Sequence, residues 1–179
     1  MGARAGAARG GGALPAGWAC GVVGRGAARA EAVEGVLPGG AGAEGYRALR
    51  REVFIEEQEV SEAEEWDGRD GEAWHVVLYD ASAQPACVAC ARVLIDKDGE
   101  AGAVGRVAVA RSQRECGVGR LLMERVHELA LERLGLRTLR LGAQVRVIPF
   151  YEKMGYLLVP GDVFMDAGIP HRNMILTKD

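Results

Sequence analysis

The chain has 179 residues, 22 of them basic and 25 acidic, a formal net charge of −3 and a 49% hydrophobic composition. That suits one domain with a real core and leaves no global attraction to nucleic acid or to an acidic membrane surface. No apolar run approaches the roughly 20 residues that span a bilayer, and the four cysteines hold a single C-x-x-C, half of a zinc site at most.

Nucleic acid, membrane and metal are therefore not expected partners. Cys20, Cys87, Cys90 and Cys116 are expected as reduced, partly buried thiols, with Cys87 and Cys90 on opposite faces of a strand. In chain order, the first stretch differs from all that follows. More than half of the 26 glycines lie before residue 46, the first acid is Glu31, and the early charges are Arg4, Arg9, Arg25 and Arg29. Such a mixture buries too little side chain to offset its ordering entropy, so residues 1–40 are expected as a low-complexity tail before a single domain at 41–179. Within the tail, "WACGVVG" offers a first strand at 18–24. An acid-poor, arginine-bearing start suits organelle targeting, but no serine precedes Ser61, and a cytoplasmic protein is expected.

"AEGYRALRREVFIEEQ" places Tyr46, Leu49, Val53 and Phe54 at helical spacing, and the acid-rich "EEQEVSEAEEWDGRD" after it predicts a loop or short second helix. "AWHVVLYD" and "ACVACARVLID" are β-rich runs split by "ASAQP", a hairpin signal; "KDGEAG" is the next turn and "AVGRVAVA" the next strand. A helix follows with Val118, Leu121, Leu122, Val126, Leu129 and Ala130 on one face, His127 on its solvated surface and Gly135 as its stop. "TLRLGAQ" predicts a strand, "IPFYEKMG" a short helix opened by Pro149, "YLLVP" a strand and "HRNMILTK" the last strand. A helix, a mostly antiparallel run of strands, then alternating helix and strand give an α+β (mixed α/β) domain rather than a doubly wound sheet.

The joint between Val107 and the long helix packs two glycines and two arginines where a strand becomes a helix. No G-x-x-x-x-G-K-[ST] string exists in the chain, and Leu122 stands where a dinucleotide fingerprint needs its third glycine. What remains is R-x-x-G-x-G, formed by Arg114, Gly117 and Gly119. Glycines let backbone N–H groups approach a phosphate, the positive end of the helix dipole lies in the same place, and Arg114 and Arg120 add charge. The alternative is a plain turn with solvated arginines.

This string resembles the pyrophosphate loop of the GNAT acetyltransferases, [QR]-x-x-G-x-[GA] after their fourth strand. "QVRVIPFYEKMGY" is similar to the family's N-x-x-A-x-x-L-Y-E-K-x-G-F, aligning Gln144, Val147, Phe150, Tyr151, Glu152, Lys153, Gly155 and Tyr156. "REVFIEEQEV", "LGAQ" and "AGIPHRNM" narrow the likeness to the ElaA-like (YjcF-like) branch. It covers Glu44 to Thr177. Gln144 departs from the family's common Asn, and Gly142 and Arg146 stand where some members of the branch carry His.

The resemblance implies the GNAT fold, a central, mostly antiparallel twisted sheet flanked by helices, and direct transfer of acetyl from acetyl-CoA to an amine. It places acetyl-CoA against Val107, Ala108 and Val109 of the fourth strand and against the loop Arg114, Glu115, Cys116, Gly117, Val118, Gly119 and Arg120, with Gln144 and Phe150 beside them. Tyr151 occupies the position of the general acid. Glu57, Asp67 and Asp70 are the candidate bases or amine-binding groups, drawn from the acidic loop whose surplus of carboxylates points to a cationic acceptor. His75 either lines that cleft or is a core histidine, and Cys116 faces pyrophosphate rather than a thioester. The expected function is a small-molecule amine N-acetyltransferase, monomeric or homodimeric. An idle acetyl-CoA-binding regulatory module and a protein or peptide N-acetyltransferase are the alternatives.

Overall fold

The computed structural model describes residues 19–23, 43–80 and 86–178. The fold grows from two strands with almost no polar residues. β2 (Trp74–Tyr79) and β3 (Cys87–Ile95) are buried along nearly their whole length, a pattern that demands cover on both faces. β2 sends Val76 and Leu78 into the larger core and Val77 and Tyr79 into a second cluster on the other face.

Helix α1 (Ala43–Arg50), which runs on as a π-helical stretch over Arg51–Glu57, covers the second face with Tyr46, Leu49 and Val53. The first face is covered by α3 (Val118–His127), extended by a wide turn over Glu128–Arg133. Val118, Leu122, Met123, Val126, Leu129 and Ala130 are its buried stripe. Leu121 is only partly buried, and Met123 stands in the stripe in its place. Gly135 ends this helix with φ 71°, the left-handed stop that glycine adopts without strain.

Among the described residues eight strands form one sheet in the order β1-β2-β3-β4-β5-β8-β6, with β7 on β8. The elements not yet placed are β1 (Ala19–Val23), α2 (Glu62–Glu65), β4 (Ala101–Val109), β5 (Thr138–Gln144), α4 (Ile148–Lys153), β6 (Leu157–Leu158), β7 (Phe164–Asp166) and β8 (Ile169–Thr177). All pairs are antiparallel except β4 with β5. β7 is absent from the sequence expectations, since three residues are too few to display alternation, and the expected "YLLVP" strand shrinks to two paired residues. The rest of the tail and the tip of the β2–β3 connection lie outside the described residues.

Two expectations are corrected. Cys87 and Cys90 share one face of β3: Tyr79 pairs with Cys87 and Leu78 with Ala89, so an extra residue bulges out and inverts the alternation. Cys90 is buried in the α1-side cluster with Cys87 packed against it, and both are free thiols. His127 is not a solvated surface residue either. It turns inward, and its Nε2 lies 3.2 Å from the hydroxyl of Tyr156, with burial lowering its pKa.

The site is positioned by the parallel pair. β4 and β5 are joined at only three positions, Ala101 with Thr138, Gly102 with Leu139 and Ala103 with Arg140. A Cβ on Gly102 would stand 2.9 Å from Leu136 Cδ1 and 3.0 Å from Val93 Cγ1, so glycine is what lets this seam close. Beyond it β4 kinks. Arg106 has φ 54°, and the register against β3 jumps from Arg92–Gly105 to Cys90–Ala108. The outer halves of β4 and β5 are unpaired with each other and leave a V in the sheet.

β1 bears on stability directly. Its five residues pair with β2 from Ala19–Tyr79 to Val23–His75, and Cys20 packs on the core. A chain starting at Gly40 is expected to lose about 2 kcal/mol, roughly 4–8 °C in Tm, by exposing the edge of β2. A chain starting at Ala16 is expected to melt with the full-length protein, and thermal melts of both check this.

Candidate functional site

The V opens into a cleft of about 840 Å³. One arm is the outer half of β4 and the loop that follows, the other is the end of β5 with α4, and the end of the first helix lies across both. Ile169 and His171 of β8, with the β7–β8 turn at Asp166 and Ala167, line the remaining side.

The loop after β4 is built to present N–H groups. Glu115 at φ 64° and Gly117 at φ 81° turn the chain through two left-handed positions, and Gly117 caps α3 without any side-chain hydrogen bond. The first helical bond is Leu121 N–H to Gly117 O, 3.0 Å. The N–H groups of Val118, Gly119 and Arg120 therefore have no intrahelical acceptor, and they sit at the positive end of the dipole. Buried Val118 anchors this end, while Cys116, expected to be partly buried, is exposed because it lies on the turn ahead of the helix.

The two glycines differ in purpose. Gly117 serves the backbone, since any side chain is strained at φ 81°. Gly119 does not. A Cβ there would meet Phe150 Cζ and Val109 Cγ2 at 3.7 Å, ordinary contact, and alanine is the better helix former by up to about 1 kcal/mol. What a side chain at Gly119 would occupy is cleft.

Arg114 is engaged within the protein. Its Nε donates to Val109 O at 3.0 Å, and both terminal nitrogens donate to Glu57 at 2.6 Å. That fork holds Glu57 below the usual carboxylate range. Arg120 is exposed and donates to Glu124 at 3.0 Å. On the far arm Gln144 donates to Gln58 Oε1 and accepts from Arg146 Nε, both at 3.0 Å. Val107 and Val109 line the cleft, while Ala108 turns into the α1-side core.

Tyr151 lines the cleft as a nearly buried side chain. Phe150 and Tyr156 hold its ring edge-on at 5.0 Å and 5.7 Å, and burial pushes its phenol up to about 12. It is protonated at any pH near neutrality.

Asp67 and Asp70 do not line the cleft. They belong to an ion network that sequence reasoning missed. Buried Arg50 bonds to Glu65 and, at 2.9 Å, to Asp70. Arg92 of β3 grips Asp67 at 2.7 and 2.6 Å and Asp70 at 2.9 Å, and Arg106 reaches Glu65 at 2.8 Å. Arg92 holds Asp67 far below the usual carboxylate range. Burial opposes ionisation of Asp70, but Arg50 and Arg92 still hold its pKa down. The signal was present: Arg50 sits inside the apolar stripe of α1 and Arg92 inside an apolar strand, so two buried cations had to find acids nearby. His75 is a core residue, stacked on Tyr46 at 4.4 Å with Nε2 3.1 Å from Asp70 O.

His171 was also missed. It lies within "AGIPHRNM", is 9% exposed and lines the cleft.

A mixed sheet that splits beside a glycine-capped helix N-terminus defines the class, an acyltransferase of the GNAT fold. The chain belongs to the acetyltransferase (GNAT) family, whose model matches residues 43–156. It is similar to the Bacillus subtilis protein named "Uncharacterized N-acetyltransferase YjcF", 38% identical over 127 residues that cover 71% of this chain and 86% of that protein. It is also similar to Escherichia coli ElaA, 33% identical over 129 residues covering 70% of this chain and 81% of ElaA. The ElaA crystal structure superposes with a TM-score of 0.64 over 74% of this chain and 87% of that one, at 30% identity. An acyl-CoA N-acyltransferase from Pseudomonas aeruginosa gives a TM-score of 0.63 over 74% and 88% at 31% identity. Among the described residues no helix is long and apolar enough to cross a membrane.

Asp67→Asn leaves Arg92 short of a charge and is expected to cost about 1–3 kcal/mol at pH 7. Because the folded pKa of Asp67 lies below its ordinary value of 3.8, its contribution is present above that pH and lost as pH falls below it. The Tm gap between wild type and variant should therefore be full at pH 5 to 7 and narrow steadily below pH 4.

Proposed function

We propose that the protein transfers the acetyl group of acetyl-CoA directly to the primary amine of a small cationic acceptor. The observation that carries this is Gly119: the fold does not need a glycine there, and its missing side chain leaves room beside three unpaired helix N–H groups. Those donors and the left-handed Gly117 turn suit a pyrophosphate. The unpaired edge of β4 from Val107 to Val109 offers backbone groups to the rest of the cosubstrate and an N–H to the oxyanion that forms on the thioester carbonyl. Gln144 and Phe150 border the same space.

An alkylammonium with a pKa near 10.4 lies about 3.4 units from neutrality at pH 7, a handicap of roughly 4–5 kcal/mol, so attack requires that a proton be removed. Among the described residues five carboxylates line the cleft. Glu57 and Glu65 are paired with arginines and Glu115 belongs to the loop that faces the pyrophosphate, which leaves Glu64 and Asp166 to attract the ammonium. Asp67 and Asp70 serve by fixing the segment that carries Glu64 and Glu65.

Tyr151 donates to the departing sulfur. A phenol near 12 is a weaker acid than a free thiol near 8.5, so complete transfer from it alone is uphill by about 3.5 units. Tyr151 therefore works as a relay, giving its proton to sulfur as it receives the one released by the newly bonded nitrogen.

The reading is tested by following acetyl-CoA consumption against putrescine, spermidine, glucosamine, tyramine and a lysine-ended tripeptide, with mass spectrometry of the products. Acetylated small amines support it. Binding without turnover identifies an acetyl-CoA-binding module, and turnover of the peptide alone identifies a peptide N-acetyltransferase.

Gly119→Leu, which puts a bulky side chain where the loop pattern accepts only Gly or Ala, is expected to leave the protein folded while weakening acetyl-CoA binding at least tenfold, about 1.4 kcal/mol by calorimetry. Tyr151→Phe is expected to leave acetyl-CoA affinity within twofold and lower kcat by roughly 10²–10⁴, with the greatest loss at low pH. A kcat within a few-fold of wild type would instead make solvent the proton donor.

A further inference from the structure

We propose that His171 is the general base, accepting a proton through Nε2 from the acceptor's ammonium group, directly or through one water. The proposal rests on the acetyl-transfer reading above.

Its geometry fits that task. His171 stands near the start of β8, opposite Gln144 in the β5 ladder and Phe164 in the β7 ladder. Its Nδ1 lies 2.8 Å from the carbonyl oxygen of Ile169. A carbonyl only accepts, so Nδ1 carries the hydrogen and the neutral ring has its lone pair on Nε2. Among the described residues Nε2 has no hydrogen-bond partner. Phe164 stacks on the ring at 5.7 Å and 27°, and Cδ2, the atom bonded to Nε2, lies over Gly142, 3.9 Å from where a Cβ would stand. Gly142 itself lines the cleft. Position and access are thus set by the neighbouring strands β5 and β7, and the tautomer by the backbone of β8 itself.

The competing bases are poorly matched. Arg114 holds Glu57 ionised as a weak base, Glu65 lies between Arg50 and Arg106, Asp67 and Asp70 lie outside the cleft, Glu115 belongs to the loop after β4, and Glu64 and Asp166 are the carboxylates that hold the ammonium. A neutral imidazole with an open ring nitrogen has a lone pair free to accept a proton, whereas a carboxylate forked by arginine has its lone pairs engaged. Asp166, Arg146 and Glu57 line the same cleft as His171, and Arg172 follows it on β8.

The protons balance. His171 takes one from R–NH3+, the amine lone pair forms the C–N bond, and the carbonyl electrons pass to oxygen. As the C–S bond breaks, the nitrogen gives up its second proton, which reaches sulfur through Tyr151. His171 then releases its own proton to solvent, giving R–NH–CO–CH3, CoA-SH and H+.

The acceptor probe is whichever amine of the panel above the wild-type enzyme turns over fastest. H171Q is expected to lower kcat/KM about 100-fold at pH 7 while leaving acetyl-CoA affinity within twofold. The acidic limb of its kcat/KM profile should give way to a rise that continues toward the amine's own pKa. Imidazole in solution should restore at least fivefold activity to H171A, which a merely structural histidine would not allow. In the wild-type protein the ¹⁵N shifts of His171 should show the Nδ1–H tautomer, a measurement that needs no variant to fold. The proposal is overturned if H171Q keeps kcat/KM within threefold with an unchanged acidic limb, or if the ring carries its hydrogen on Nε2. In those cases wild-type acetylation of the amine would still stand. Absence of any wild-type acetyl transfer would overturn the functional reading and this proposal together.

Discussion

The structure depends on how briefly two parallel strands touch. β4 and β5 share three residue pairs, closed over Gly102 where no Cβ fits, and then part. A longer ladder would satisfy every backbone group and leave a continuous sheet with no interior access. A shorter one would divide the sheet, because β5, β8, β6 and β7 reach β1 to β4 only through this seam. The positive φ of Arg106 and the register jump beside it turn β4 away just past the seam. Backbone donors that would be costly orphans in a core are tolerable here because they face a cleft open to water or ligand.

Electrostatics performs a second structural task, away from the reacting atoms. Arg50 and Arg92 are buried cations, and burial of an unpaired charge costs several kcal/mol. Glu65, Asp67 and Asp70 offset that cost and in doing so fasten the segment between the first helix and β2 against the sheet. Glu64 and Glu65 can line the cleft because the network fixes the backbone that carries them.

Much of this was legible in the sequence, for reasons that differ by element. The stripes of α1 and α3 and the apolar runs of β2 and β3 follow from periodicity, and the glycine loop follows from the geometry that backbone N–H groups need. The bulge that puts Cys87 beside Cys90 was not legible, because a single inserted residue changes parity without changing composition. Nor was β7, whose three residues take their strand conformation from β8. The carboxylates of the acidic loop were visible as a pool, but dividing them into ion-paired and cleft-facing members required knowing where Arg50, Arg92 and Arg114 point. His171 could not be separated from a packed strand residue until β5 and β7 stood on either side of it.

The two adjacent residues Glu57 and Gln58 have a mechanical consequence. One grips Arg114 on the loop arm at 2.6 Å and the other meets Gln144 on the β5 arm at 3.0 Å. Together they form a tie beam across the mouth of the V, with a single peptide unit between its two anchorages. Hydrogen bonds of this length do not stretch by an ångström and survive. The arms must therefore hold their span as a fixed gauge for whatever enters, or else one named anchorage must give way first. The mouth that the parting of the sheet opens is thus bridged by a strut two residues long.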